Sequence, residues 1–151
     1  MMYVHKIIAT SLGIGYIGRG GGTVAAICVC LFWYVLGVIQ TPYPGILLSL
    51  TLLFVIAGTW SAGKVEPLWG KDDKKVVIDE VAGMCISLLF LPVTWEFVLA
   101  ALVLFRFFDI AKPLYIRRME RLPGGWGVMM DDILAGVYAN LVLQLVIYLK
   151  R

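Results

Sequence analysis

An all-α polytopic membrane bundle is the fold class this sequence predicts, and three observations predict it. Of the 151 residues 61% are hydrophobic and 15% charged, with a mean hydropathy of +0.90, which is too apolar for an ordinary water-soluble domain. No charged residue occurs between Gly20 and Gly63. Beyond Gly63, charge returns in clusters that alternate with apolar runs of bilayer-crossing scale. The length accommodates about five spans of roughly 20 residues each, with little left for loops. The expected organisation is a single membrane-embedded domain over residues 1–151.

The first element is a short N-terminal helical or re-entrant segment, Met1 to Gly18, which has Lys6 and no small-residue cleavage site. Within it, Gly13 to Gly18 fits G-x-G-x-x-G, but no acid follows about 20 residues later and an apolar span replaces the βαβ unit, so no dinucleotide site is expected. Six glycines between Gly13 and Gly22 suit either close helix packing or approach of backbone N–H groups to a phosphate. Span one follows from Thr23 to Ile39, and the turn signal Thr41-Pro42-Tyr43-Pro44-Gly45 separates it from span two, Gly45 to Ala62. A polar loop bearing Lys64, Glu66, Lys71, Asp72, Asp73, Lys74 and Lys75 follows, of which the run Asp72 to Lys75 reads as solvated, because mixed charge runs between spans usually are. Span three runs from Val76 to Leu91 and stops at Pro92. Span four, from Trp95 to Ile110, is closed by Lys112-Pro113, since proline disfavours a helical residue before it. A basic loop with Arg117, Arg118 and Arg121 leads to Asp131-Asp132, which opens span five, Ile133 to Leu149.

Lysine and arginine collect in the loops before span one, after span two and after span four, with only Lys150 and Arg151 on the other side. Short basic loops stay in the cytoplasm, so in a cell membrane the N-terminus is expected on the cytoplasmic side and the C-terminus outside. On that topology Asp79 and Glu80 enter span three, Asp109 leaves span four, and Asp131 and Asp132 enter span five, all at the cytoplasmic face. Carboxylates so close to hydrocarbon need partners, and Arg106 and Lys112 are too few to neutralise five of them. One or more divalent cations would supply the balance, and an all-oxygen donor set favours Mg²⁺. Asp79 and Gly83 are four apart, as are Asp132 and Gly136, so each acid shares a helix face with a glycine that permits close helix approach. Arg106 and Asp109, three apart, also share a face. Arg106 suits bidentate contact with phosphate and Lys112 point-charge contact.

Other chemistries find little support. His5 is the single histidine and lies far from the acids in sequence, which disfavours phosphohistidine and Ser-His-Asp chemistry and leaves it a bystander. Cys28, Cys30 and Cys85 sit inside apolar runs, without the downstream arginine of a phosphate-cradling thiol loop, and Cys28 and Cys30 point to different helix faces. Trp33, Trp60, Trp69, Trp95 and Trp126 fall near span ends and read as an interfacial belt. The net charge of +3 flanks apolar runs and forms no aromatic-interleaved stripe, so no nucleic acid is expected, and no protein partner is legible.

Three segments, Val77 to Met84, Arg106 to Pro113 and Gly124 to Gly136, occur in an order that resembles the phosphatidylglycerophosphatase A family, and the resemblance covers nearly the whole chain. It implies Mg²⁺-dependent hydrolysis of the phospholipid phosphatidylglycerophosphate to phosphatidylglycerol and inorganic phosphate at the cytoplasmic membrane, in phospholipid biosynthesis. Gly21-Gly22-Thr23 resembles the family's Pro-Gly-Thr with glycine in place of proline. On this reading Asp79, Glu80, Asp131 and Asp132 hold Mg²⁺, and Arg106, Lys112 and Thr23 bind the terminal phosphate. Asp109 is either the base for attacking water or the nucleophile. The alternative is a transporter or channel for Mg²⁺ or protons, disfavoured because no acid lies mid-membrane in any expected span. A CDP-alcohol phosphotransferase would require a widely spaced acidic motif with paired Asp-Gly that the chain lacks.

Overall fold

A computed structural model of the protein describes residues 1–39, 44–71 and 73–150. Thr41, Pro42 and Tyr43 of the expected turn, together with Asp72 and Arg151, lie outside the described residues. Among those described, all regular structure is helical. The order is α1 (Met2–Ala9), a 3₁₀ turn (Ile14–Ile17), α2 (Gly21–Ile39), α3 (Pro44–Trp69), α4 (Ile78–Leu88), α5 (Trp95–Ala111), α6 (Ile116–Met119) and α7 (Gly125–Leu149). This is the expected all-α membrane bundle with its short N-terminal helical segment.

Among the described residues three helices, α2, α3 and α7, are long and apolar enough to cross a bilayer. At 1.5 Å per residue they extend about 28, 39 and 37 Å. Their outer faces carry exposed Leu31, Phe32, Leu53, Ile56 and Leu145, which suits hydrocarbon and not water. The other two expected spans are shorter. The 17 residues of α5 extend about 25 Å, and the 11 of α4 about 16 Å.

The shortness of α4 has a local cause. Leu89 leaves the helix at φ −57°, ψ 131°, and Phe90 follows with φ 60°. Carbonyls freed at a helix end inside a bilayer need donors, since hydrocarbon offers none. Asn140 of α7 provides them: its Nδ2 donates to Ser87 O at 3.1 Å and to Leu89 O at 2.8 Å, and Gln144 Nε2 donates to Phe90 O at 3.3 Å. Nine of the eleven residues of α4 are buried, and the helix packs against α7, α2, α3 and α5. It is the central helix and needs no lipid-facing length.

The crossing of α4 with α7 is made by two glycines. A Cβ on Gly136 would run into the Gly83 carbonyl, and one on Gly83 would stand 2.6 Å from the Asp132 carbonyl oxygen and 2.6 Å from Phe105 Cε2. The backbones touch where the shared helix faces of Asp79 with Gly83 and Asp132 with Gly136 place them.

At the same end of the bundle, α1 lies on α3. His5 is buried there, with Nδ1 3.3 Å from Ser61 Oγ and its ring edge-on to Trp60 at 4.7 Å, so it is a packing residue. Trp33 departs from the expected belt: it is 2% exposed in the core, while Trp60, Trp95 and Trp126 are exposed. A position near a span end in sequence does not specify which helix face the indole takes. The three cysteines are free; Cys28 is exposed and Cys30 buried, on different sides of α2 as their spacing requires.

Candidate active site

The starts of α2 and α4 and the end of α5 meet at one face of the bundle, where Asp132 joins them from the second turn of α7. Because the last turn of α5 precedes a loop and short α6 that lead into α7, Asp109 and Asp132 return to the same level as Asp79. Carboxylate oxygens of Asp79, Glu80 and Asp132 all lie within 4.8 Å of one another. Asp79 and Asp132 are buried. The Glu80 backbone N–H donates to Asp79 Oδ1 at 3.1 Å, and the two carboxyls interact directly. Asp109 interacts electrostatically with Glu80 and Asp132, which brings it into the same group.

Arg106 and Asp109 form the expected i,i+3 pair, with Nη1 2.6 Å from Oδ2. Arg106 also lines a cavity of about 390 Å³ together with Asp79, Glu80, Gly22 and Thr23. Thr23, in the first turn of α2, lines the same pocket. Gly22 sits so close to Glu80 that an added Cβ would run into Oε1, so the glycine sets how near the start of α2 comes to the acids.

Lys112 is placed differently from a free phosphate ligand. Its Nζ donates to Asp131 Oδ2 at 2.7 Å and to Glu120 Oε1 at 2.7 Å. Burial alone would lower its pKa, but the hydrogen bonds to Asp131 and Glu120 outweigh that and hold it above the ordinary lysine value. Asp131 is therefore bound into a Lys112–Glu120 network next to the Asp79–Glu80–Asp132 group. Lys112 adopts φ 44°, the left-handed conformation that ends α5 and turns its side chain toward α7.

The acid group fits a divalent metal on two counts. Its donors are all carboxylate oxygens from adjoining helix ends, and Glu80 Oε2 is enclosed with no hydrogen-bond partner among the described residues. Arg106 and Lys112 make their shortest contacts outside this group, Arg106 with Asp109 and Lys112 with Asp131 and Glu120.

Some neighbours of the site were not singled out by the sequence. Arg19, Asp73 and Lys74 line the pocket, although the 71–75 charge run reads as solvated loop. Nothing in a mixed charge run indicates that it folds against a glycine-rich turn. Glu120 had a signal, being an acid inside a basic loop, and Asn140 another, being one of two amides, with Gln144, in an apolar span.

Carboxylates gathered with an arginine in a pocket at one end of a membrane helix bundle define an integral membrane enzyme that handles a phosphorylated group. Comparison with known proteins narrows the class. The sequence model of the family described as phosphatidylglycerophosphatase A matches residues 7–147, and the chain belongs to that family; it is a phosphatase. A Bacteroides thetaiotaomicron protein provisionally named phosphatidylinositol-3-phosphatase is 42% identical over 147 residues, covering 93% of this chain and 92% of that protein. The phosphatidylglycerophosphatase A of Haemophilus influenzae is 37% identical, covering 94% of this chain and 88% of that protein. That of Escherichia coli is 34% identical, covering 93% and 81%. No solved structure matches the chain.

Proposed function

We propose that the chain, acting as one membrane-embedded domain, hydrolyses phosphatidylglycerophosphate to phosphatidylglycerol and inorganic phosphate as a step of phospholipid biosynthesis, with its site at the cytoplasmic face of the cell membrane. The observation that carries this reading is the meeting of Asp79, Glu80 and Asp132, of which Asp79 and Glu80 line one pocket with Arg106, in a chain of the phosphatidylglycerophosphatase A family. The basic loops at that end of the bundle support the cytoplasmic orientation.

Asp79, Glu80 and Asp132 would hold Mg²⁺, with Asp131 supporting the group through its tie to Lys112. When bound, the cation supplies positive charge to the phosphoryl oxygens. Arg106 and Thr23 orient the terminal phosphate from the pocket wall. Lys112, held by two carboxylates, contributes positive potential and fixes Asp131. Asp109, fixed by Arg106, either takes the proton of the attacking water or attacks phosphorus itself. In both cases the new P–O bond forms as the bond to the glycerol oxygen breaks; that oxygen takes its proton from Asp109 when Asp109 is the base and from water when Asp109 is the nucleophile, and in the second case water then hydrolyses the aspartyl-phosphate to release inorganic phosphate and free Asp109. Trapping with labelled substrate separates the two, because only nucleophilic attack leaves an aspartyl-phosphate on the protein.

Phosphate release from phosphatidylglycerophosphate, with and without a chelator and restored by Mg²⁺, tests the proposal. Ion flux in liposomes without phosphate release would refute it. A second substrate reading has its own support: the provisional name of the Bacteroides thetaiotaomicron relative is that of a phosphatase acting on phosphatidylinositol 3-phosphate. Both lipids are phosphomonoesters on a diacylglycerol-linked headgroup, and side-by-side kcat/KM values decide between them.

A further inference from the structure

Next to the pocket that holds the acids, a second cavity of about 500 Å³ opens. Lys71, Lys75, Tyr16 and Trp69 line it. The two cavities share Gly18, Asp73 and Lys74, so Lys74 stands in the wall between them. Among the described residues, Lys71, Lys74 and Lys75 face Asp73 around the second cavity, with Lys75 Nζ 3.5 Å from Asp73 Oδ1, whereas described cations and acids balance around the first. Moving from the acid group across Lys74, the potential becomes positive.

The lysine-bearing segment is braced. A Cβ on Gly15 would run into the Lys75 carbonyl, which shows how tightly the N-terminal turn packs on it. The Val77 N–H donates to Ala9 O at 2.9 Å, the Val76 N–H to Asp73 O at 2.8 Å, and the Lys75 N–H to Asp73 Oδ1 at 3.0 Å. The Lys75 ammonium stands 5.3 Å from the centre of the Trp69 ring. These contacts fix the backbone that carries the lysines, and the Lys75 side chain, at the cavity before any ligand arrives, which lowers the entropy lost on binding an anion.

We propose that this basic cavity is a second phosphate subsite. It takes the bridging phosphodiester of a lipid whose terminal phosphate lies at Arg106 and the acid group, and Lys74 is its specificity-determining residue. The inference rests on the lipid phosphatase reading above and deepens it: the enzyme selects headgroups that carry two phosphates, as both lipids considered there do, over those that carry one.

The test uses two water-soluble competitors of phosphatidylglycerophosphate hydrolysis in neutral detergent micelles: glycerol 3-phosphate, with one phosphate, and the deacylated headgroup glycerophosphoryl-glycerophosphate, with two. The wild-type protein should bind the two-phosphate compound more tightly. Lys74→Gln should weaken that compound about tenfold more than it weakens glycerol 3-phosphate, the effect of losing one charge-assisted contact at the second cavity, and Lys74→Arg should restore the wild-type ratio. The same ratio in wild type and Lys74→Gln, or no wild-type preference, overturns the subsite. An effect of Lys74→Gln that arises only when phosphatidylglycerol vesicles are added assigns the anion to a bystander lipid, and also overturns it. Failure of the wild type to release phosphate from any lipid phosphomonoester is a separate result that removes the phosphatase reading itself.

Discussion

Substituting Gly83 with alanine tests whether the α4–α7 crossing sets the geometry of the acid group. The added methyl would stand 2.6 Å from the Asp132 carbonyl oxygen and from Phe105 Cε2, where ordinary contact begins at 3.4 Å. One of these neighbours is backbone, so relief requires α4 and α7 to part by about 0.8 Å at this level, the difference between those distances. Asp79 lies one turn from Gly83 on the same face, and Asp132 carries the struck carbonyl, so the separation acts directly on oxygens that now lie within 4.8 Å of one another. Overpacking of this size costs about 1–3 kcal/mol of stability, and a displacement near 1 Å at a reacting site lowers rate about 10²-fold. Phosphate release from phosphatidylglycerophosphate and a thermal melt in the same detergent measure both. The expected result is a folded protein with a modestly lower Tm and kcat/KM down about 10²-fold. Gly45→Ala, which meets nothing within 4 Å, should change neither. A Gly83→Ala protein with wild-type activity and Tm would refute the claim that this glycine contact positions the carboxylates.

Other substitutions separate the roles around the pocket. Asp132→Asn should raise the Mg²⁺ concentration for half-maximal activity by at least about tenfold, read by metal titration of phosphate release; an unchanged requirement would remove Asp132 from the metal group. Asp109→Asn should lower kcat by about 10²–10⁴-fold with little change in the metal requirement, and a fully active variant would exclude both roles proposed for Asp109. Asn140→Leu removes the donor for two carbonyls at the end of α4 and should destabilise the bundle by about 1–3 kcal/mol per carbonyl left unsatisfied, seen as a lower Tm. Lys112 is held above its ordinary pKa, so its stabilising effect is complete below the unfolded lysine value and is lost only as pH rises through the higher folded one. The Tm difference between wild type and Lys112→Gln should therefore stay constant from about pH 6 to about pH 9, below the lysine range; a difference that vanishes within that window would contradict the assignment.

The apolar composition and the uncharged stretch from Gly20 to Gly63 were enough to establish a membrane helix bundle, because hydrocarbon admits few other backbones. Loop charge and the position of five acids at the ends of apolar runs also suggested which residues gather, since burying a carboxylate near lipid needs a partner. The four-residue spacing of Asp79 with Gly83 and of Asp132 with Gly136 was legible too, because helical periodicity alone puts each pair on one face. What the spacing did not contain was the partner of each charge. Lys112 could have faced a phosphate, but the left-handed end of α5 turns it to Asp131 and Glu120. The charge run after α3 looked solvated, but packing of Gly15 against it makes Lys74 a wall of the pocket. The length of α4 was equally hidden, because its end depends on amides from α7, about fifty residues away in sequence. Periodicity and hydropathy are local properties of the chain, whereas ion pairs, caps and cavity walls join residues distant in sequence, so only the tertiary structure decides them.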